Sequence, residues 1–406
     1  MLRRVRPISV LLVTVLAAGV FLAGFGAGHR DATARSADDQ GFGLLREVLN
    51  LARREYLNPP PETSKLFDGA ARGMLEALGD PYTRYMEPGV YKEFSQGVKG
   101  FFFGIGIFID MRDGQLIVVQ PIEGTPAHRA GLRPGDRIRL INNVSTDGMA
   151  LQEAVTRIRG PAGTKVKLRI ARPGLNVDVE ITRARIQIVS VQGASSLDEA
   201  TRRTLAADRL GYIRIQAFND DTPREVTAEL DRISKDRVRG VIVDLRSNGG
   251  GLLHEALEIA SRFVPHGRPV LHRVGRDGRR TTERSGGGVK VGVPIVVLVN
   301  EFSASASEIL AGALRDSAEA TVVGIKTFGK GVIQSIFPLS SGGAAAVTTE
   351  KYLTPAERDI HGVGIAPDVA AGERLEGKAE ADVTRIQADQ LKRAIDVLKQ
   401  RLAQKR

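Results

Sequence analysis

The chain contains no cysteine, an absence that excludes disulfides, thiol nucleophiles and thiolate metal sites together. An oxidising compartment outside the cell would therefore leave it unchanged. Its six histidines are dispersed, and neither His-Glu-x-x-His nor a carboxylate cluster occurs, so no metal and no cofactor is expected. His254, just after a glycine turn, is the one histidine of interest, and a solvated or packed role suits it best. The Gly-x-Ser-x-Gly elbow of Ser-His-Asp enzymes is missing, as is the Ser-x-x-Lys of penicillin-binding enzymes. There is also no basic arm with interleaved aromatics. The net charge of +11 comes from 58 Lys and Arg scattered among 47 acids, which reads as a solvated surface attracted to anionic lipid or envelope polymer and not to nucleic acid.

What is present is a 406-residue chain, 42% hydrophobic, sufficient for two or three domains with proper cores. Arg3, Arg4 and Arg6 precede an uncharged stretch from Pro7 to Gly28, with Ala32-Thr-Ala34 as a candidate cleavage site. This predicts a signal peptide or a retained membrane anchor over residues 1–34. The arginines on its N-terminal side place the remainder outside the cytoplasm, in the periplasm or on the outer face of the cytoplasmic membrane. Residues 41–95 carry helical periodicity through Leu44, Leu45, Val48, Leu49 and Ala52. From 96 to 185 short strands alternate with glycine turns, as in Gly104-Ile-Gly-Ile-Phe-Ile109 and Leu116-Ile-Val-Val119. Within 186–375, two buried strands, Gly240–Leu245 and Pro294–Asn300, each run through a turn into a helix, which indicates a βαβ layer. Over 376–406, Ile386, Leu391, Ile395, Leu398 and Leu402 suggest an amphipathic helix for packing or for pairing with a second copy.

Chemistry concentrates between Val293 and Gln334. Glu301-Phe-Ser-Ala-Ser-Ala-Ser-Glu308 lies where a buried strand hands over to a helix N-terminus, whose N–H groups lack intrahelical partners and suit developing negative charge. Lys330, in Thr327-Phe-Gly-Lys-Gly331, follows Ser305 by 25 residues. A serine at such a turn and a lysine in a glycine-flanked loop could form a Ser-Lys hydrolase, the lysine accepting the hydroxyl proton. Any one of Ser303, Ser305 or Ser307 could instead simply cap the helix. Gly324-Ile-Lys-Thr-Phe-Gly-Lys330 also matches the first seven positions of a P-loop, but Gly331 stands where Ser or Thr is required and a strand-like run follows.

Asn300-Glu-Phe-Ser-Ala-Ser-Ala-Ser-Glu-Ile-Leu-Ala-Gly-Ala-Leu-Arg-Asp316 together with Thr327-Phe-Gly-Lys-Gly331 resembles the carboxyl-terminal processing proteases, serine proteases with a Ser-Lys pair. The resemblance covers residues 41–370 and includes Asp80-Pro-Tyr-Thr-Arg-Tyr85, Tyr352-Leu-Thr-Pro355 and Ile360-His-Gly-Val-Gly-Ile-Ala-Pro-Asp368. It implies Ser305 as nucleophile, Lys330 as general base, Gln334 as the residue that positions the lysine, and Asp316 as a supporting acid. Three glycines in Arg246-Ser-Asn-Gly-Gly-Gly251 free N–H groups to face an oxyanion, and the resemblance assigns that hole to Gly250 or Gly251 with Ala306. Phe302 departs from the glycine found in many members.

Thr125-Pro-Ala-His-Arg-Ala-Gly-Leu-Arg-Pro-Gly-Asp-Arg-Ile resembles a PDZ domain, which binds a peptide C-terminus as an added strand. The resemblance implies a carboxylate loop at Phe103, Gly104, Ile105, Gly106 and Ile107, and in Arg159 a residue that couples peptide occupancy to the catalytic site. The fold expected is thus α+β and multidomain: a helical N-terminal region, a PDZ β-domain and a crotonase-like α/β catalytic core. The expected function is an exported serine endopeptidase that reads protein C-termini and cleaves envelope or misfolded proteins. Candidate further partners are an activating adaptor, a second copy of the chain and the membrane. The alternative is a catalytically silent PDZ adaptor.

Overall fold

In the computed structural model the described residues are 37–59, 61–112, 114–172, 175–288, 292–376 and 378–404. The expected signal or anchor segment and its cleavage site, residues 1–34, lie outside them. No helix among the described residues is long and apolar enough to cross a membrane.

The chain divides into two compact units, Met1–Gly79 and Asp80–Arg406. In the first, a helix over residues 37–55 is followed by a helix at Thr63–Glu76, and Leu44, Val48, Leu51, Phe67 and Met74 are exposed. The division falls inside the 41–95 helical region expected from periodicity. Residues from Asp80 onward belong to the larger unit, where Arg84–Met86 is a strand and Pro88–Val98 a helix with Pro88 at its start.

In the larger unit the PDZ body is an antiparallel sheet built from Ile107–Arg112, Gln115–Pro121, Arg137–Ile141, Lys165–Arg172 and Leu175–Thr182, with the helix Leu151–Ile158 against it. Alternate residues such as Val166, Leu168 and Ile170 are buried while their neighbours face solvent, the period of two of a half-buried sheet. A separate strand pair, Phe101–Gly104 with Ala184–Gln187, joins the entry and exit of this body.

The core is a six-stranded sheet in the order Val191–Gly193, Leu210–Ile215, Gly240–Asp244, Ile295–Val299, Thr321–Gly324, Val369–Ala370, parallel beyond its first pair. Its central strands are continuously apolar because both faces are covered. Val241, Val243, Val297 and Val299 pack with the helices Thr222–Lys235, Leu253–Ala260 and Ala306–Ser317. Ile242, Val296 and Leu298 meet Leu391, Ala394, Ile395 and Leu398 of the C-terminal helix Glu380–Gln404. Burying each such large side chain contributes about 1.5–3 kcal/mol, so this helix is part of the core. Arg246 fixes it further, donating to the carbonyl of Gln387 (2.5 Å) and to Gln390 Oε1 (3.2 Å) while paired with the fully buried Asp244.

A second sheet carries the residues that matter most below. Its long strand Ala344–Leu353 is paired by Arg84–Met86 and by Val332–Pro338, so the Asp80–Tyr85 motif and the loop before Val332 reach the same strand.

Candidate active site

In the turn into the helix Ala306–Ser317 the three serines differ in burial and partners. Ser303 and Ser307 are fully buried, and their hydroxyls donate to the carbonyls of Leu245 (2.8 Å) and Asn248 (2.9 Å). They hold the Ser305 turn to the glycine loop. Ser305 is partly exposed and sits just before the helix with φ 55° and ψ −115°. Positive φ is costly for a residue with a Cβ and is a form of strain that clusters at functional sites. Gly250 accounts for the close fit opposite: at φ +102° it lies where an added Cβ would be 2.9 Å from Ser305 Cβ and 2.8 Å from the carbonyl oxygen of Ala304.

Glu308, in the first turn of the same helix, is 1% exposed and gathers the site around one carboxylate. Oε2 accepts the backbone N–H of Ser305 and of Lys330, both at 2.9 Å. Oε1 accepts the N–H of Gly329 (2.7 Å) and the hydroxyl of Thr327 (2.6 Å). From the carbonyl side, the buried Tyr352 hydroxyl donates to Lys330 (2.8 Å), with the Ser305 oxygen 3.2 Å away. Burial, and then the Glu308 charge, push the Tyr352 phenol well above its usual range, so it remains a donor. The serine turn and the lysine loop are thereby tied by their backbones at both polarities.

The Lys330 side chain is half-buried, its ammonium 5.0 Å from the centroid of the Tyr82 ring. Burial depresses its pKa below the ordinary lysine value, the Arg84 guanidinium adds to that depression, and Asp80 opposes it. Asp80 shapes the turn that presents these groups, accepting from the Tyr82 N–H (3.0 Å) and the Thr83 hydroxyl (2.6 Å). Thr83 in turn accepts the N–H of Thr348 on the long strand.

The chain belongs, on comparison with known proteins, to a family of proteolytic enzymes. Peptidase family S41 matches residues 209–371, the PDZ domain residues 117–172, and the activating protease CtpB N-terminal domain residues 27–89. Carboxy-terminal processing protease CtpA of Bacillus subtilis is 34% identical over 91% of this chain and 78% of its own length. The carboxyl-terminal-processing protease of Synechocystis is 39% identical over 86% and 80%. The chain belongs to the carboxy-terminal processing serine protease family. A solved S41-type protein of Bacteroides fragilis shares the fold, with a TM-score of 0.53 at 14% identity over 86% of this chain and 96% of that one.

In this processing protease the other expected site residues fare unevenly. Gln334 lies on Val332–Pro338, but its amide donates to Thr348 Oγ1 (3.3 Å) and not to the lysine. Asp316 lies near the far end of the helix Ala306–Ser317, where it pairs with Arg358 and accepts the Ala356 N–H (3.1 Å). Eleven residues at 1.5 Å each place it about 16 Å from Ser305, so its support is to the loop after Tyr352 and not to Ser305 or Lys330. The Gly250 N–H is already donated to Asn248 Oδ1 (2.9 Å), which leaves Gly251 and Ala306, whose N–H groups have no acceptor among the described residues. No group of three or more His, Asp or Glu side chains placed for a metal occurs among the described residues.

The PDZ groove is a cavity of about 230 Å³ lined by Phe102, Gly104, Ile105, Gly106, Ile107 and Arg159. Phe103, expected in this loop, is instead stacked edge-on against Phe101 at 5.3 Å. Strand alternation turns Phe102 into the groove, where Arg159 lies over its ring at 5.2 Å. Gly106 is obligatory, because at φ +80° a Cβ would be 2.4 Å from Thr125. The N–H groups of Ile105 and Gly106 have no acceptor among the described residues. Arg159 also reaches Glu93 (3.4 Å) of the helix Pro88–Val98, which directly follows the strand Arg84–Met86.

Tyr82, Arg84, Glu308 and Tyr352 are the residues whose roles sequence reasoning missed. Each stood inside a motif already quoted for the resemblance, and that was the available signal.

Proposed function

We propose that this chain is an exported serine endopeptidase that engages protein C-termini through its PDZ groove and cleaves envelope or misfolded proteins with Ser305 and Lys330. One observation carries the reading: of three clustered serines, only Ser305 is partly exposed, the hydroxyls of Ser303 and Ser307 being spent on the carbonyls of Leu245 and Asn248, and the carboxylate that holds its backbone also holds that of Lys330. Neutral Lys330 takes the Ser305 proton as Oγ attacks the scissile carbonyl carbon. The oxyanion falls to the N–H groups of Ala306 and Gly251, and Lys330 returns the proton to the leaving amine. Water, deprotonated by the same lysine, then releases the acyl group. Among the described residues Lys330 Nζ makes no hydrogen bond to Ser305 Oγ, so the side chain loses its proton and swings away from the Tyr82 ring to reach it as the neutral amine. Incubating the full chain and its Ser305→Ala form with an unfolded protein tests the reading. Fragments from the native chain alone are expected, and none from either would leave a binding module.

The regulatory part of the proposal follows from the path Arg159, Glu93, Pro88–Val98, Arg84–Met86, which runs from the groove to the cation beside Lys330. The Arg159–Glu93 pair is exposed and contributes only about 0–1 kcal/mol, so a bound peptide can displace it. A peptide shifts the active population only by its differential affinity for that state. Apolar-ended peptides with a free carboxylate should stimulate cleavage of a separate substrate severalfold. Amidated versions should not, because the N–H groups of Ile105 and Gly106 lose their anion. Equal stimulation by both would remove the groove as the switch.

A further inference from the structure

From an orphaned carboxylate oxygen beside the lysine loop, we infer that this protease has a subsite for a basic side chain of its polypeptide substrate, with Glu301 as its floor. The inference rests on the peptidase reading and adds a specificity that neither the sequence nor the comparisons assign. A cavity of about 490 Å³ lies against Thr327 and Phe328, three and two residues before Lys330, and is also lined by Glu301, four residues before Ser305. Glu301 is only 7% exposed. Its Oε1 accepts the backbone N–H of Leu375, whereas Oε2 is buried with no hydrogen-bond partner among the described residues. A buried carboxylate oxygen without a donor is costly, and a cation that reaches it relieves that cost.

The rest of the lining selects what can reach it. Ile325, Phe328 and Val363 give apolar walls that suit the methylene stem of lysine or arginine. At the rim, Glu373 is paired with Lys378 and Arg374 with Glu376, so these charges are neutralised in place. Lys326 also lines the rim and is exposed to solvent. The volume falls in the ordinary range for ligand pockets, roughly 300–1,000 Å³. Four residues span at most about 14 Å, and an extended substrate advances about 3.3 Å per residue. The pocket therefore addresses a substrate residue within about four positions of the scissile bond. A site with an unpaired buried acceptor discriminates against ligands that lack the donor.

The test uses one peptide frame in which lysine is walked through four positions on each side of the cleavage point, with a matching norleucine series of the same length and no charge. Binding is measured to the full-length Ser305→Ala form and cleavage with the native chain. We expect one position at which lysine exceeds norleucine by about tenfold or more in both measurements. Glu301→Gln should bring that ratio close to one. Val363→Lys, which places a resident cation at an exposed wall residue, should do the same and guards against misfolding of the buried variant. Lysine preference in binding without any cleavage would uphold the subsite and overturn the peptidase reading. Cleavage with no lysine preference at any position, or a preference that survives both substitutions, would overturn the subsite and leave the peptidase reading standing.

Discussion

Lys330→Ala should lower kcat by about a thousandfold or more with little change in the unfolding midpoint, since general acid–base catalysis contributes roughly 10²–10⁴ and here one group serves both half-reactions. The pH profile gives the same claim a second measurement. The reactive form is the neutral amine, and burial first, then Arg84, against Asp80, hold the Lys330 pKa below its ordinary value. Activity should therefore rise with pH on a single ionisation, about tenfold per unit while the lysine is mainly protonated. Removing the neighbouring cation in Arg84→Gln should raise the lysine pKa, shift that limb to higher pH and lower the rate at neutrality. Asp80→Asn should shift it to lower pH. A rate that ignores pH between 6 and 9, or one retained in Lys330→Ala, would take the lysine out of the mechanism.

The strand, turn and helix at Ser305 were legible because they are local: apolar runs and small-residue breaks lie within a dozen residues of each other. The PDZ body was legible for the same reason. What escaped were contacts across the chain. Tyr82 and Arg84 reach Lys330 from about 250 residues away because Arg84–Met86 and Val332–Pro338 share one partner strand, and no periodicity encodes such a pairing. The expectation for Phe103 missed by one residue, which in a strand exchanges one face for the other. Gln334 and Asp316 sit at the expected positions, but their side chains are engaged by Thr348 and by Arg358. The choice among Ser303, Ser305 and Ser307 needed burial and partners, which spacing does not supply.

Glu308 should prove as important as either reacting side chain, although it touches no substrate. Its carboxylate accepts from Ser305, Thr327, Gly329 and Lys330, and hydrogen bonds to a charged group contribute about 1.5–3 kcal/mol each. In Glu308→Leu four donors, two of them fully buried, lose their acceptor at once. A loss of about 3–5 kcal/mol in unfolding free energy is expected, comparable to breaking a buried charged network. The kinetic loss should be larger than stability alone explains, because displacing a reacting group by about 1 Å can cost a hundredfold. Both the serine and the lysine would be displaced, so kcat should fall by about a thousandfold. Glu308→Gln keeps one acceptor oxygen and the shape but turns an NH₂ toward the remaining donors, and should fall between. Tyr352→Phe removes the donor from the carbonyls of Lys330 and Ser305 and should cost about tenfold, the effect of one ordinary hydrogen bond. Peptide binding by the distant PDZ groove should be unchanged in Glu308→Gln and Tyr352→Phe, which separates displacement of the site from general unfolding. Native kcat in folded Glu308→Gln would mean that the two loops hold their register without the carboxylate.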